Sequence, residues 1–325
     1  MRVQRNGRAA AAAAAAATAF VASATLAGGQ AQATPAQAGA VVVNDVLIIS
    51  GTNAADQITL DFSALDSVVV DLGDSVGTRR FASGTFHAAS VDLRSGDDQF
   101  QTISGGVLVD VPTTVSGGNG NDIATTGAGR DVLVGGNGAD FVNGGVGTDV
   151  EVLGNGDDTA AWNPGDGNDT IDGGLGRDIL AFNGNNGDEL MSLSANGPSA
   201  VFLRNLGNIR MDLVGVEQLD LATFGGVDTV TIGDLSGTDI TTADIDLAAT
   251  TGAADTKDDT VLVNGTDQAD RVDVTADGGA VEVTGLAAQT TITGGDTTDR
   301  LQINTLGGYD SVTVSDSARA LLDIR

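Results

Sequence analysis

The 325-residue chain contains no cysteine, one histidine, one lysine and one tyrosine. Without cysteine, neither disulfides nor thiolate metal sites are available to it. The lone histidine, His87, excludes a His-Glu-x-x-His zinc site. In its Gly84–Ser90 setting it reads as a turn or strand surface rather than as a catalytic base. Basic residues number 15 against 44 acidic ones, a formal charge of −29. Nucleic acid and anionic membranes both require cationic patches, so neither fits as a partner, and an anionic polysaccharide would be repelled. Aromatic residues make up only 3% of the chain, too few for a conventional globular core. Thin stacked layers of Val, Ile, Leu, Ala and Thr suit this composition better. Past the first 33 residues no apolar run is long enough to span a membrane.

What the chain has in abundance is glycine and aspartate, in a fixed rhythm between residues 117 and 181. Five nine-residue units run from Gly117 to Ala161 without a gap. Asp122, Asp131, Asp140, Asp149 and Asp158 hold the same position in each. Trp162 and Asn163 are then inserted, and two more units place Asp169 and Asp178 at that position. The pattern is Gly-Gly-x-Gly-x-Asp-x-apolar-x. Its glycines permit turns that a side chain would forbid and let backbone carbonyls converge. The aspartate adds a carboxylate, and the β-forming residues after it, such as Val132–Val134, make a short strand. Hard oxygen donors in a flexible turn suit calcium, which takes six to eight oxygens, better than magnesium.

This run resembles the calcium-binding repeats-in-toxin family, also called haemolysin-type repeats. The resemblance implies a right-handed parallel β-roll with two nonapeptides per coil and Ca2+ held between successive turns. Ions would then be shared between Asp122 and Asp140, Asp131 and Asp149, and Asp140 and Asp158. The implied metal-binding set is Gly118, Asn119, Gly120, Asn121 and Asp122; Gly127, Gly129 and Asp131; Gly136, Asn137, Gly138 and Asp140; Gly145, Gly147 and Asp149; Gly154, Gly156 and Asp158; Gly165, Gly167 and Asp169; and Gly174, Gly176 and Asp178. Thr126, Leu153 and Pro164 replace the first glycine of their units. Glu151, Ala124 and Ala160 take the apolar strand position. These departures predict a thin core, and the insertion at Trp162 interrupts the phase. Trp162 reads as a cap on the core at that break, in preference to a sugar-stacking platform.

The flanks are strand-and-turn throughout. The turn Gly51-Thr52-Asn53-Ala54-Ala55-Asp56 returns as Gly265-Thr266-Asp267-Gln268-Ala269-Asp270, a relaxed form of the central unit. Glycine, aspartate and apolar alternation recur at Gly225, Gly294 and Gly307 at irregular spacing. The Asp255–Asp259 stretch and Arg79-Arg80 read as exposed loops. The expected architecture is all-β: an N-terminal β-solenoid segment over 41–115, a calcium-binding roll over 116–181, and a β-helix-like or sandwich domain over 182–325. No amphipathic helix is expected outside the leader.

Residues 1–33 have the form of a secretory signal peptide, with Arg2, Arg5 and Arg8 before the apolar stretch Ala9–Leu26. The functional expectation is a secreted, extracellular or cell-surface bacterial protein that is not an enzyme, binds calcium and folds on binding it. Successive carboxylates about 4.8 Å apart repel by roughly 3–4 kcal/mol at an effective dielectric near 20, and a bridging cation reverses that sign. The expected further partner is a cell-surface or matrix polysaccharide or protein. The competing expectations are a calcium-dependent polysaccharide lyase, epimerase or glycosidase on a β-helix, and a surface adhesin. N-terminal sequencing of exported protein should begin at Thr34, after Ala31-Gln32-Ala33, or at Gly39 if cleavage follows Ala38. An intact Met1 on exported material would defeat the leader reading.

Overall fold

Strands of two to eight residues alternate with glycine-rich turns because the sequence alternates β-formers with residues that only turn well. The computed structural model describes residues 37–73, 76–106 and 110–325. The leader lies outside the described residues. Nearly every ordered element is a strand, and the strands pair mostly in parallel. The chain divides into two compact units. The first comprises residues up to Ala161 together with Gly165–Asp178; the second comprises Trp162–Pro164 and Ile179–Arg325.

In the first unit one sheet stacks Val46–Ser50, Ala88–Ser95, Thr113–Asn119, Val132–Asn137, Val150–Asn155 and Thr170–Leu175, each parallel to the next. A second sheet stacks Gln57–Asp61, Gln99–Ile103, Ile123–Thr125, Phe141–Asn143 and the start of Thr159–Trp162. The chain visits the two sheets in turn, so successive passes make coils. Through the central run Val132 pairs with Val150 and Phe141 with Thr159, a register of two nonapeptides per coil. Inward positions form columns along the stack. One column is Val115, Leu133, Glu151 and Ile171; another is Phe100, Ala124, Val142 and Ala160, and all of these residues are buried. The core is one such layer thick, as the composition required. Leu153, a departure from the repeat, is fully buried and adds to that core rather than thinning it.

Longer coils carry antiparallel hairpins. Ser67–Asp71 and Thr78–Ala82 extend the second sheet beyond Gln57–Asp61, which accounts for the longest coil of this unit. Arg79 and Arg80 lie on the outermost strand, exposed, not in a loop. Charge on an edge strand discourages pairing with another chain. Gly39–Val43 folds back on Val46–Ser50 through Asn44 and Asp45, both at positive φ.

The second unit repeats the plan with wider coils. One sheet stacks Leu190–Asn196, Thr229–Ile232, Thr260–Asn264, Arg300–Asn304 and Asp323–Ile324 in parallel. The other stacks Ile179–Asn185, Gln218–Phe224, Thr242–Asp246 and Gln289–Thr293. Hairpins through Ser199–Arg204 and Ile209–Val214, and through Arg271–Asp277 and Ala280–Thr284, fill out the long coils. A parallel β-helical course with hairpin insertions is therefore what the irregular C-terminal spacing encodes. Two single-turn helical elements, Leu206–Asn208 and Asp316–Arg319, were not expected from the sequence. They are too short to show an apolar periodicity. Trp162 is buried and stacks on Phe182 with centroids 4.1 Å apart, in keeping with a core cap and not with an exposed sugar platform.

Glycine is required where coils touch. Gly138 has φ +137°, and a Cβ there would run into the carbonyl oxygen of Gly120 one coil earlier. Gly84 has φ +77° but open space around it. Gly84→Ala should therefore cost only the left-handed backbone penalty, about 1–2 kcal/mol. Gly138→Ala should cost clearly more, because backbone must also move. Chemical denaturation of both variants in calcium checks this, and equal losses would contradict the close coil contact.

Candidate metal centre

Each aspartate of the repeat sits in a turn between the two sheets. Asp140 lies between Val132–Asn137 and Phe141–Asn143; Asp149 lies between Phe141–Asn143 and Val150–Asn155. Alternate aspartates therefore fall on opposite edges of the coil, in two rows. In the first row the backbone N–H of Asp122 donates to Oδ1 of Asp140 at 2.8 Å, and that of Asp140 to Oδ1 of Asp158 at 2.7 Å. In the second, the N–H of Asp131 donates to Asp149 and that of Asp149 to Asp169, at 2.7 and 2.8 Å. The structure thus brings together the same pairs that the two-nonapeptide coil implies.

The insertion at Trp162 does not break the rows. The coil there grows from 18 to 20 residues, and Asp158 N–H still reaches Oδ1 of Asp178 at 3.0 Å. The two extra residues are absorbed ahead of the turn that carries Asp169, and the strands beyond re-enter in register, with Gly154 opposite Gly174.

The other carboxylate oxygen decides the chemistry. Asp122, Asp131, Asp140, Asp149, Asp158 and Asp178 are all buried, and Oδ2 of each of the first five has no hydrogen-bond partner. A Cβ at Gly135 would sit 2.5 Å from both Asp140 Oδ2 and the carbonyl oxygen of Leu153, so the glycine leaves a cradle walled by oxygens. Gly117 leaves the same cradle between Asp122 Oδ2 and the carbonyl of Gly135. Buried polar atoms are almost always paired, so a periodic series of unpaired carboxylate oxygens calls for a cation or a proton. Among the described residues no three acidic or histidine side chains gather into one cluster. A cation here would need backbone carbonyls to complete its shell. Such a shell suits calcium.

The remaining predicted residues divide by place. Gly118, Gly120, Gly136, Gly154, Gly156, Gly174 and Gly176 join Gly138 at positive φ, each against the carbonyl of the coil before. Gly145, Gly147 and Gly167 make the same contact on the other edge. Gly127 and Gly129 lead into Asp131, where a Cβ on Gly129 would crowd its Oδ1; the space around Gly165 is open. Asn121 is exposed and its Oδ1 accepts the N–H of Ala139. The side chains of Asn119 and Asn137 do not join the rows. They bond to one another in an exposed amide ladder that continues to Asn155.

Residues 116–151 and 165–188 match the model of the RTX calcium-binding nonapeptide repeat, in four copies. These segments are RTX calcium-binding repeats. No curated protein matches the chain. The RTX repeats account for both rows within 116–188, but the rows extend further. Asp56 N–H donates to Asp98 Oδ1 at 2.7 Å and Asp98 N–H to Asp122 Oδ1 at 2.9 Å, over coils of 42 and 24 residues. In the second unit Glu189, Asp228, Asp259 and Asp299 are joined in the same way. Asp56 and Asp270 also close their own turns by accepting the N–H of Thr52 and Thr266, so the two matching turns of the flanks share one geometry. Asp98 and Asp259 were missed by sequence reasoning, and the reading of Asp255–Asp259 as an exposed loop is corrected: Asp259 is buried. The signal was the Asp-Asp pair at 97–98 and 258–259, whose second member turns inward.

Gly73-Asp74-Ser75-Val76-Gly77 has the form of a serine-nucleophile elbow. Gly77 N–H donates to Gly73 O at 2.7 Å, and the strand Thr78–Ala82 follows where such an elbow requires a helix. His87 is exposed in a turn.

Burial pushes these carboxyls up, backbone N–H donors pull them partly back, and neighbouring carboxylates push again. The result is about 6 for Asp98 and Asp131, about 7 for Asp140 and Asp169, and about 8 for Asp149. Glu151, which lies in neither row, is raised well above its usual value by burial, then by Asp169. It accepts the N–H of Gly144 at 2.7 Å. In an unfolded chain such groups ionise near pH 4. The stability contributed by their neutral forms is complete below about pH 4 and is lost as pH rises through the folded values, to about pH 8. In chelator, the melting temperature should therefore fall from pH 5 to pH 8. Calcium should remove that fall, because it replaces the protons. Glu151→Gln should flatten the slope in chelator while keeping the bond to Gly144. A melting temperature that rises over this range without calcium would contradict the burial of neutral carboxyls.

Proposed function

We propose that the protein is exported and folds on calcium outside the cell, as a non-enzymatic structural or interaction module. The observation that carries this is the unpaired, buried Oδ2 that recurs along both edges, at Asp122, Asp140 and Asp158 on one and at Asp131 and Asp149 on the other. An ionised carboxylate in that position costs several kcal/mol without a counter-charge. When bound, calcium supplies that charge and draws on the carbonyls that the glycines leave exposed. Asp122, Asp140, Asp158 and Asp178 would hold it along one edge, and Asp131, Asp149 and Asp169 along the other.

Binding free energy then becomes folding free energy, as each ion needs groups from more than one coil. Where calcium is scarce the chain stays loose enough for export; where it is plentiful the coils stack. Proteins with RTX repeats are generally secreted by bacteria, and among the described residues no helix is long and apolar enough to cross a membrane. The exposed strands and acidic surface suit a role in presenting a rigid face to a surface or matrix partner. The enzyme reading gains no support from the site, whose carboxylates are buried and already tied to backbone N–H groups.

Far-ultraviolet circular dichroism of the mature chain should show strand signal that increases on calcium addition and falls back, without vanishing, on chelation. An ion saturated tenfold contributes about 1.4 kcal/mol. Asp140→Asn, which keeps the Oδ1 acceptor but removes the charge, should lose at least that much of the calcium-dependent stability and none of the stability in chelator. A spectrum indifferent to calcium would overturn the coupling.

A further inference from the structure

The second unit contains a row of the same construction outside the RTX repeats. Glu189 N–H donates to Asp228 Oδ1 at 2.8 Å, Asp228 N–H to Asp259 Oδ1 at 2.8 Å, and Asp259 N–H to Asp299 Oδ1 at 2.9 Å. The coils between them are 39, 31 and 40 residues long, so no nonapeptide period marks the row. Its local frame nonetheless reproduces that of the repeats. Val227 N–H, one residue before Asp228, donates to Asp188 Oδ1 at 2.8 Å, as Asn121 N–H does to Asp97. Gly226, with φ +131°, faces the carbonyl of Gly187 as Gly138 faces that of Gly120.

The two ends of this row are already satisfied from within the chain. Glu189 forms a buried ion pair with Arg204 through Oε1 and accepts Asn185 N–H at Oε2. Asp299 accepts the N–H of Asp259 on one oxygen and that of Asp296 on the other, the latter at 2.6 Å. The two middle members are not. Asp228 and Asp259 are each 1% exposed, and Oδ2 of each has no partner. Half-buried Asp255 stands beside them, its Oδ2 accepting Gly226 N–H at 3.2 Å from the turn that carries Asp228.

We propose that Asp228 and Asp259, with Asp255 alongside, form a further binding site for a divalent cation of the calcium class, in the second unit and independent of the RTX repeats. The two buried carboxylates, with no histidine or thiol among them, offer hard oxygen donors, and backbone carbonyls would complete the shell. The internal cation Arg204 pairs with Glu189 and with the carbonyl of Leu206, at the end of the row and not at its middle. The inference shares with the calcium reading of the first unit the premise that unpaired buried carboxylate oxygens mark cation positions.

Equilibrium dialysis of the full mature chain against calcium tests it, with Asp228→Asn, Asp259→Asn, Asp299→Asn and Asp140→Asn compared under saturating conditions. Each substitution preserves the Oδ1 acceptor. Asp228→Asn and Asp259→Asn should each lose at least one bound ion, and Asp299→Asn none, with the strand signal unchanged. If Asp140→Asn lowers the count while Asp228→Asn and Asp259→Asn leave it at the wild-type value, the second site is refuted and the repeat sites stand. If the wild-type chain takes up no calcium, both fall. Should either variant fail to fold, hydrogen exchange on the wild-type chain replaces it: slower exchange of the Asp228 and Asp259 amides in calcium supports the site, and identical exchange with and without calcium refutes it.

Discussion

One hydrogen bond organises this protein: a backbone N–H in one coil donating to a carboxylate oxygen in the next. It joins Asp122 to Asp140 and Asp140 to Asp158 on one edge, and Asp131 to Asp149 on the other. The bond consumes one oxygen of each carboxylate and leaves the second buried and unmet. Stacking and cation demand are thus the same event. Each added coil buries another strip of Val, Leu or Ile and creates another negative site that water cannot reach. A core only one layer thick could not bear that electrostatic load alone, which is why composition and metal chemistry have to be read together.

Because the bond fixes only the edges, the length of chain between edges is free. Coils of 18 and 20 residues sit in the first unit beside ones of 24 and 42, and the same link spans 31 to 40 residues in the second. In the coils of 39, 40 and 42 residues the surplus chain becomes an antiparallel hairpin that pairs with the sheet already present. Where the external cation is not called for, the chain provides its own, as Arg204 does for Glu189 beneath the ring of Trp162.

This freedom explains what could be read in the sequence. The rows at 122–158 were legible because a constant period of nine places every aspartate in phase. Asp228 and Asp299 were legible only as glycine-aspartate turns before apolar alternation, with nothing to show that they align. Asp259 was hidden, since Lys257 and Asp258 beside it are exposed and make the stretch look solvated. Glu151 stood out as a charge at an apolar position, but its bond to Gly144 depends on a turn seven residues away in sequence, which no pattern announces. Fold class follows from strand and turn composition; alignment between unequal coils follows from register, which hairpin lengths conceal.

The edge bond also has a direction. Within the rows the donor belongs to the coil nearer the N-terminus and the acceptor to the one after it, while the flanking bonds from Asn121 to Asp97 and from Val227 to Asp188 run the other way. A stack ending at its N-terminal side shows a carboxylate that water can solvate. A stack ending at its C-terminal side leaves an inward-facing N–H with no acceptor. The two faces of a partial stack are therefore unequal as templates, and a coil becomes whole only when the sequence that follows it has arrived. Assembly along these rows has a built-in polarity, set by which side of the peptide bond reaches across.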